Sequence, residues 1–291
     1  MVRRWLSSLV LLAAVLPAAA CVRDVAPSDS RAPQWDGSGS LPVGRSEHSM
    51  SVDGIDRAFV VYRPAGTTRD SPTVLVLHGG YGTGAQSESR YDWDAAAERH
   101  GFVAVFPDGW RRSWNAGGGC CGAAGREGVH DVAYLQALVA SLPVDQGQVY
   151  AVGMSNGGML AQRLACETDL LAGVAVVAAT ALVECRAPAA LSVLDLHGTD
   201  DEVVRYDGDR GDPYGPRSDP VDGLPVEELH DRWRRAGDCG PDTLSHDGDV
   251  IVRTAACPSG RRVVLRTYPG LGHAWPDDAT ETISSFIAGR G

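Results

Sequence analysis

The chain has 291 residues, 44% apolar and 22% charged, which allows one sizeable buried core and argues against disorder as a whole. Its formal charge is -11, and all 26 basic residues are Arg. An acidic surface without basic clusters speaks against nucleic acid or anionic lipid as a partner.

The N-terminus reads as a secretory signal: Arg3 and Arg4 precede an apolar run, Trp5 to Ala20, too short and wrongly flanked to span a membrane. Ala18-Ala19-Ala20-Cys21 resembles a bacterial lipobox, in which the cysteine is lipidated and becomes the new N-terminus. The expectation is a signal peptide over 1–20, a lipid on Cys21 and a place outside the cytoplasm. Ordinary cleavage after Ala20 would instead release a secreted protein. Losing two Arg and no acids takes the formal charge from -11 to -13. Residues 21–45, rich in Pro, Ser, Asp and Gly, read as a flexible tether to a folded domain over 46–291.

Beyond Ser49, short β-branched runs alternate with helical segments. Strands are predicted at Arg57–Tyr62, Thr73–Leu77, Phe102–Phe106, Gln148–Val152, Gly173–Ala178, Leu191–Leu196 and Val263–Tyr268. Several are almost continuously apolar, as strands buried on both faces of a parallel sheet must be. After Asp131, the residues Val132, Leu135, Leu138, Val139 and Leu142 form one helical stripe. Another helix carries Val226, Leu229 and Trp233 and stops at Gly237. The last opens with Asp278 three residues before Glu281, a capping-box spacing, and packs through Ile283, Phe286 and Ile287. The alternation predicts one doubly wound α/β domain, a mostly parallel sheet flanked by helices. The stretch Tyr206–Pro225 reads as a loop, a candidate to face substrate.

Setting Cys21 aside leaves six cysteines, which allow fifteen pairings in an oxidising compartment. Cys239–Cys257 would close a short Gly/Asp-rich excursion and Cys166–Cys185 a similar one, leaving Cys120–Cys121 as an adjacent pair. No CxxC or HxxxH spacing suggests a metal.

Gly153-Met154-Ser155-Asn156-Gly157 fits G-x-S-x-G, and its context matters more than the pattern. A predicted strand runs into it and Met159–Cys166 behind it reads as a helix, the setting of a nucleophile elbow. A serine hydroxyl needs a base, and the base needs a carboxylate to orient it. The strand Leu191–Leu196 is followed by His197-Gly198-Thr199-Asp200-Asp201, and the last strand by Gly270-Leu271-Gly272-His273-Ala274-Trp275-Pro276. His273 is the expected base. His78 and His197, at strand ends, are lesser competitors, and His48, His100, His230 and His246 read as solvated. Asp200 and Asp201 both remain candidates for the acid. The oxyanion hole calls for backbone N–H groups from Asn156 and from Gly80 or Tyr81, in the Gly-rich turn Leu77-His78-Gly79-Gly80-Tyr81-Gly82.

These segments, with Trp114-Asn115-Ala116-Gly117, Cys120-Cys121-Gly122 and the longer run through Gly158-Met159, resemble the secreted polyhydroxybutyrate depolymerase and feruloyl esterase family. That family is related to the acetylxylan esterases and includes lipoprotein esterases. The resemblance spans residues 50 to 288 and implies an α/β-hydrolase fold, a serine esterase acting through an acyl-enzyme, no cofactor, and Asp201 as the acid. A monomer acting on polymeric or carbohydrate-linked esters is expected, with Trp114 and Trp275 lining a groove or serving the core. The chain departs from the family pattern at His130-Asp131 and after Asp201, where Arg205 stands near the expected site. The rival readings are an acyltransferase acting on envelope sugars and a catalytically silent, anchored binding protein.

Overall fold

In the computed structural model, the structure describes residues 32–37, 39–185, 191–214 and 220–289. The expected signal peptide and Cys21 lie outside them. Ten strands form one sheet: β1 (Gly44–Val52), β2 (Ile55–Arg63), β3 (Thr73–Leu77), β4 (Val103–Pro107), β5 (Val149–Met154), β6 (Gly173–Val177), β7 (Ser192–Gly198), β8 (Thr243–Asp247), β9 (Val250–Ala256) and β10 (Arg262–Tyr268). Their order is β1-β2-β4-β3-β5-β6-β7-β10-β9-β8. The six strands from β4 to β10 run parallel, and antiparallel pairs close both edges.

The central strands are buried on both faces, and their side chains alternate between two cores. Leu75, Leu77, Ala151, Val174 and Val176 join one core, which α4 (Asp131–Ser141), α5 (Asn156–Glu167) and α6 (Val226–Ala236) cover. Val74, Val76, Val152, Ala175 and Val177 join the other, covered by α2 (Trp93–His100) and α7 (Ala279–Ile287). Each buried Val or Leu contributes about 1.5–3 kcal/mol. Two short helices, α1 (Gly84–Arg90) and α3 (Gly122–Glu127), follow β3 and β4 in the chain. The disulfides are Cys166–Cys185, Cys239–Cys257 and Cys120–Cys121, the pairing expected.

Three expectations need correction. The segment 32–45 is no free tether where it is described. Leu41 is buried, the Trp35 indole N–H donates to Ser141, and the compact unit begins at Ala32. The stretch inside the Cys239–Cys257 loop is a hairpin, β8–β9, turning at Gly248 with a φ of 60°. Asp278 precedes α7 but makes no side-chain cap. Its carboxylate instead accepts from Tyr268 Oη and Arg266 Nη2.

One buried ion pair ties strand β2 of the antiparallel edge to the start of α4. Arg57 Nη2 lies 2.6 Å from Asp131 Oδ1, with both side chains almost wholly out of solvent. The guanidinium also donates twice to the Asp108 carbonyl and sits 4.2 Å from the Tyr134 ring centroid. Asp131→Ala would strand that charge and should cost about 3–5 kcal/mol. Urea unfolding should show a lower midpoint at unchanged slope; a loss below about 1 kcal/mol would show that the pair is not needed.

Candidate active site

The serine of the Gly-rich turn sits between β5 and α5 with φ 52° and ψ -123°, a conformation that costs about 1–3 kcal/mol. Its surroundings enforce it. A Cβ on Gly157 would collide with the Leu77 carbonyl, and one on Gly153 with the Gly157 backbone. One on Gly158 would lie 2.6 Å from the Ala179 methyl. The Ser155 N–H donates to the Val177 carbonyl at 2.9 Å, so the turn is pinned to the neighbouring strand.

The loop after β3 is braced from below. His78 is buried; its Nδ1 lies 2.8 Å from the Gly79 carbonyl and its Nε2 accepts from the Gly109 N–H at 2.9 Å. Both ring nitrogens are thereby used by a neutral imidazole. Burial, reinforced by nearby Arg57 and Arg112 and only partly opposed by the Gly79 bond, lowers its pKa to about 4. His78 orients this loop. Trp114 is fully buried, donating from Nε1 to the His78 carbonyl at 2.9 Å, and its backbone exchanges two hydrogen bonds with the Asn156 amide. It therefore braces the site from the core and lines no groove, because its one polar atom finds its partner inside.

Of the expected oxyanion donors, Tyr81 is the one corrected: its N–H donates to the Arg112 carbonyl at 2.8 Å. The Gly80 N–H makes no backbone bond among the described residues. The N–H of Asn156 opens α5 and so has no carbonyl four residues back within the helix.

The loops after β7 and β10 bring an acid and a base together. Asp201 is buried and Asp200 exposed, which separates the two candidates. His273 Nδ1 stands 2.8 Å from Asp201 Oδ2, while Oδ1 accepts from the N–H groups of Val203 at 2.9 Å and Val204 at 2.8 Å. Burial by itself would raise the Asp201 pKa. Hydrogen bonds from His197, His273 and the Val204 N–H outweigh it and hold the carboxyl well below the ordinary range.

His197 is the partner that sequence reasoning ranked as a mere competitor. Its Nε2 donates to the Val204 carbonyl at 2.7 Å and lies 3.5 Å from Asp201 Oδ2, and its Nδ1 is 3.9 Å from Asp195 Oδ1. Burial opposes its charge, yet the two carboxylates and the Val204 carbonyl raise its pKa to about 9. Its place in the His197-to-Asp201 run was the available signal. His48 and His230, expected to be solvated, are buried instead.

Ser155 and His273 line one cleft of about 920 Å³ with Tyr81, Tyr91, Tyr214 and Trp275. Trp275 stacks on Tyr91 at 4.2 Å between centroids. The tyrosines carried no periodic signal, although Tyr214 falls in the irregular stretch expected to face substrate. No hydrogen bond joins Ser155 Oγ to His273 among the described residues, and such contacts commonly close only with substrate bound. Arg205 pairs with Asp207 at 2.6 Å and lines neither this cleft nor the adjoining pockets.

Residues 57–218 match the family described as "Esterase PHB depolymerase". A protein named as an esterase, NocK of Nocardia uniformis subsp. tsuyamanensis, is 29% identical over 91% of this chain and 88% of its own length. Feruloyl esterase B of Piromyces equi is 27% identical over 76% of this chain, which spans 43% of that longer protein. Among solved structures, LpqC, a poly(3-hydroxybutyrate) depolymerase from Bordetella parapertussis, superposes with a TM-score of 0.54 at 20% identity, covering 84% of this chain and 89% of that one. The shared fold is the α/β-hydrolase fold.

The raised pKa of His197 makes stability depend on pH. A group raised from 6.5 to about 9 on folding adds stability that is complete below 6.5 and is lost as pH rises through about 9. The melting temperature of the wild type should therefore fall between those values, and His197→Gln should flatten that slope. Parallel wild-type and variant slopes would show that His197 stays neutral.

Proposed function

We propose that this protein, which belongs to the esterase PHB depolymerase family, works as an extracytoplasmic serine esterase with Ser155, His273 and Asp201 as its triad. As a member it is a carboxylic ester hydrolase. The observation that carries the finer reading is the short His273–Asp201 contact, opening on the same cleft as a serine held in a strained turn.

In this reading His273 takes the Ser155 proton as Oγ attacks the ester carbonyl. Asp201 fixes the imidazole with Nδ1–H pointing at itself, leaving Nε2 free for the serine, and stabilises the imidazolium that forms. The oxyanion rests on the N–H groups of Gly80 and Asn156. Collapse expels the alcohol, protonated by His273, and leaves an acyl group on Ser155. Water, deprotonated by His273, then releases the acid. Asn156 is fixed for this by its side-chain bonds to the Trp114 backbone, so its N–H needs little reorganisation.

The place outside the cytoplasm is supported by three disulfides and by the signal-like N-terminus; the proposed lipid on Cys21 would hold the enzyme at a membrane surface. Among the described residues no helix is long and apolar enough to cross a membrane. An open cleft suits esters attached to a polymer or surface, and the protein is proposed to act as a monomer.

Full-length wild type and Ser155→Ala should be compared on p-nitrophenyl acetate and butyrate, methyl ferulate, acetylated xylan and a hydroxybutyrate oligomer. The variant should lose kcat by a factor on the order of 10⁶, and Asp201→Asn by roughly 10⁴. A folded wild type no faster than Ser155→Ala on every ester would return the chain to the binding-protein reading.

A further inference from the structure

Ser155 borders more than one cavity. The cleft of about 920 Å³ shares Gly80, Tyr81, Arg112, Ser155 and Tyr214 with a pocket of about 380 Å³. That pocket shares Cys121, Gly122 and Val221 with a third cavity of about 520 Å³. The Tyr81 and Tyr214 rings, 6.2 Å apart and both exposed, stand between the first two.

The middle pocket is walled by Met159, Val203, Val221 and Cys121, and the third by the Cys120–Cys121 disulfide, Leu182, Val183 and Leu224. These walls are built into the fold. Cys121 Sγ packs 3.9 Å from Met159 Sδ. A Cβ on Gly117 would collide with Val183, and the Leu224 N–H donates to Thr180 Oγ1 at 3.1 Å.

The two sides of the serine are chemically unequal. The leaving alcohol takes its proton from His273, which lines the large cleft and not the middle pocket. Asn156, an oxyanion donor in the reading above, lines the middle pocket and not the cleft. The alcohol therefore departs toward Trp275 and the acyl group lies toward Met159. Resting on the serine esterase reading, we infer that the acyl chain fills the middle pocket and runs on over the Cys120–Cys121 disulfide into the third cavity. The site is thus built for extended acyl chains.

The test uses full-length protein and p-nitrophenyl acetate, butyrate and octanoate, which share one leaving group. Val221→Trp narrows the junction of the middle and third cavities; Leu182→Trp fills only the third. Wild type should prefer octanoate to acetate in kcat/KM by about tenfold or more, within the range a few buried methylenes supply. Val221→Trp should lower both the butyrate-to-acetate and octanoate-to-acetate ratios. Leu182→Trp should lower only the octanoate ratio, by about tenfold, and carries the test alone if Val221→Trp fails to fold. Unchanged ratios in the folded variants, or a wild type whose kcat/KM falls steadily from acetate to octanoate, would overturn the acyl path. Acetate hydrolysis that vanishes in Ser155→Ala would still leave the esterase reading standing. A wild type inert toward all three esters would overturn both.

Discussion

Where β5 turns into α5, the backbone of Gly157 passes so close to the Leu77 and His78 carbonyls that no side chain fits. The approach locks the end of β5 against the end of β3, and Ser155 is left with a positive φ between them. The strain is sustained because both strands are buried and hydrogen-bonded on each side, so the turn cannot relax without breaking the sheet. The rest of the site is placed relative to that point. The loop after β3 runs alongside it, and the loops after β7 and β10 bring in Asp201 and His273. Gly198 packs so tightly on Leu271 that those two loops form one unit.

A second constraint is electrostatic. A carboxylate as buried as Asp201 stays ionised only if donors surround it, and here two backbone N–H groups and two imidazoles do so. Val204 is a hinge of this network: its N–H serves Asp201 and its carbonyl accepts from His197. His197 thereby holds the turn that holds Asp201, with Asp195 on its far side. Such a network fixes the His273 ring, as the base proposed for Ser155 would require.

The sequence was most legible where strands are buried on both faces. All seven predicted strands are present; six of them are the parallel strands, each of which must be a nearly unbroken apolar run. Edges left weaker marks: β8 is exposed at every position, so Thr243–Asp247 carries no alternation to read. Helices α1 and α3 are short and rich in Gly, Ser and charge, without an apolar stripe. Ser155 stood out because the glycines around it answer to close backbone approach, a constraint that shows in residue type. The choice between Asp200 and Asp201 turned on burial, which adjacent identical residues cannot reveal. The alternatives left open at Trp114 and at Gly80 or Tyr81 were undecidable for a related reason. Whether an indole N–H or a backbone N–H is already used depends on partners far along the chain, here His78 and Arg112.

The account stands or falls on a covalent intermediate at Ser155. Rapid mixing of the full-length protein with p-nitrophenyl butyrate, followed by acid quench and peptide mass spectrometry, reads it directly. The expected result is a burst of p-nitrophenol approaching one per chain, with a butyryl group on the peptide that contains Ser155. Turnover with the label on another residue, or a full burst with no labelled serine at any quench time, would contradict it.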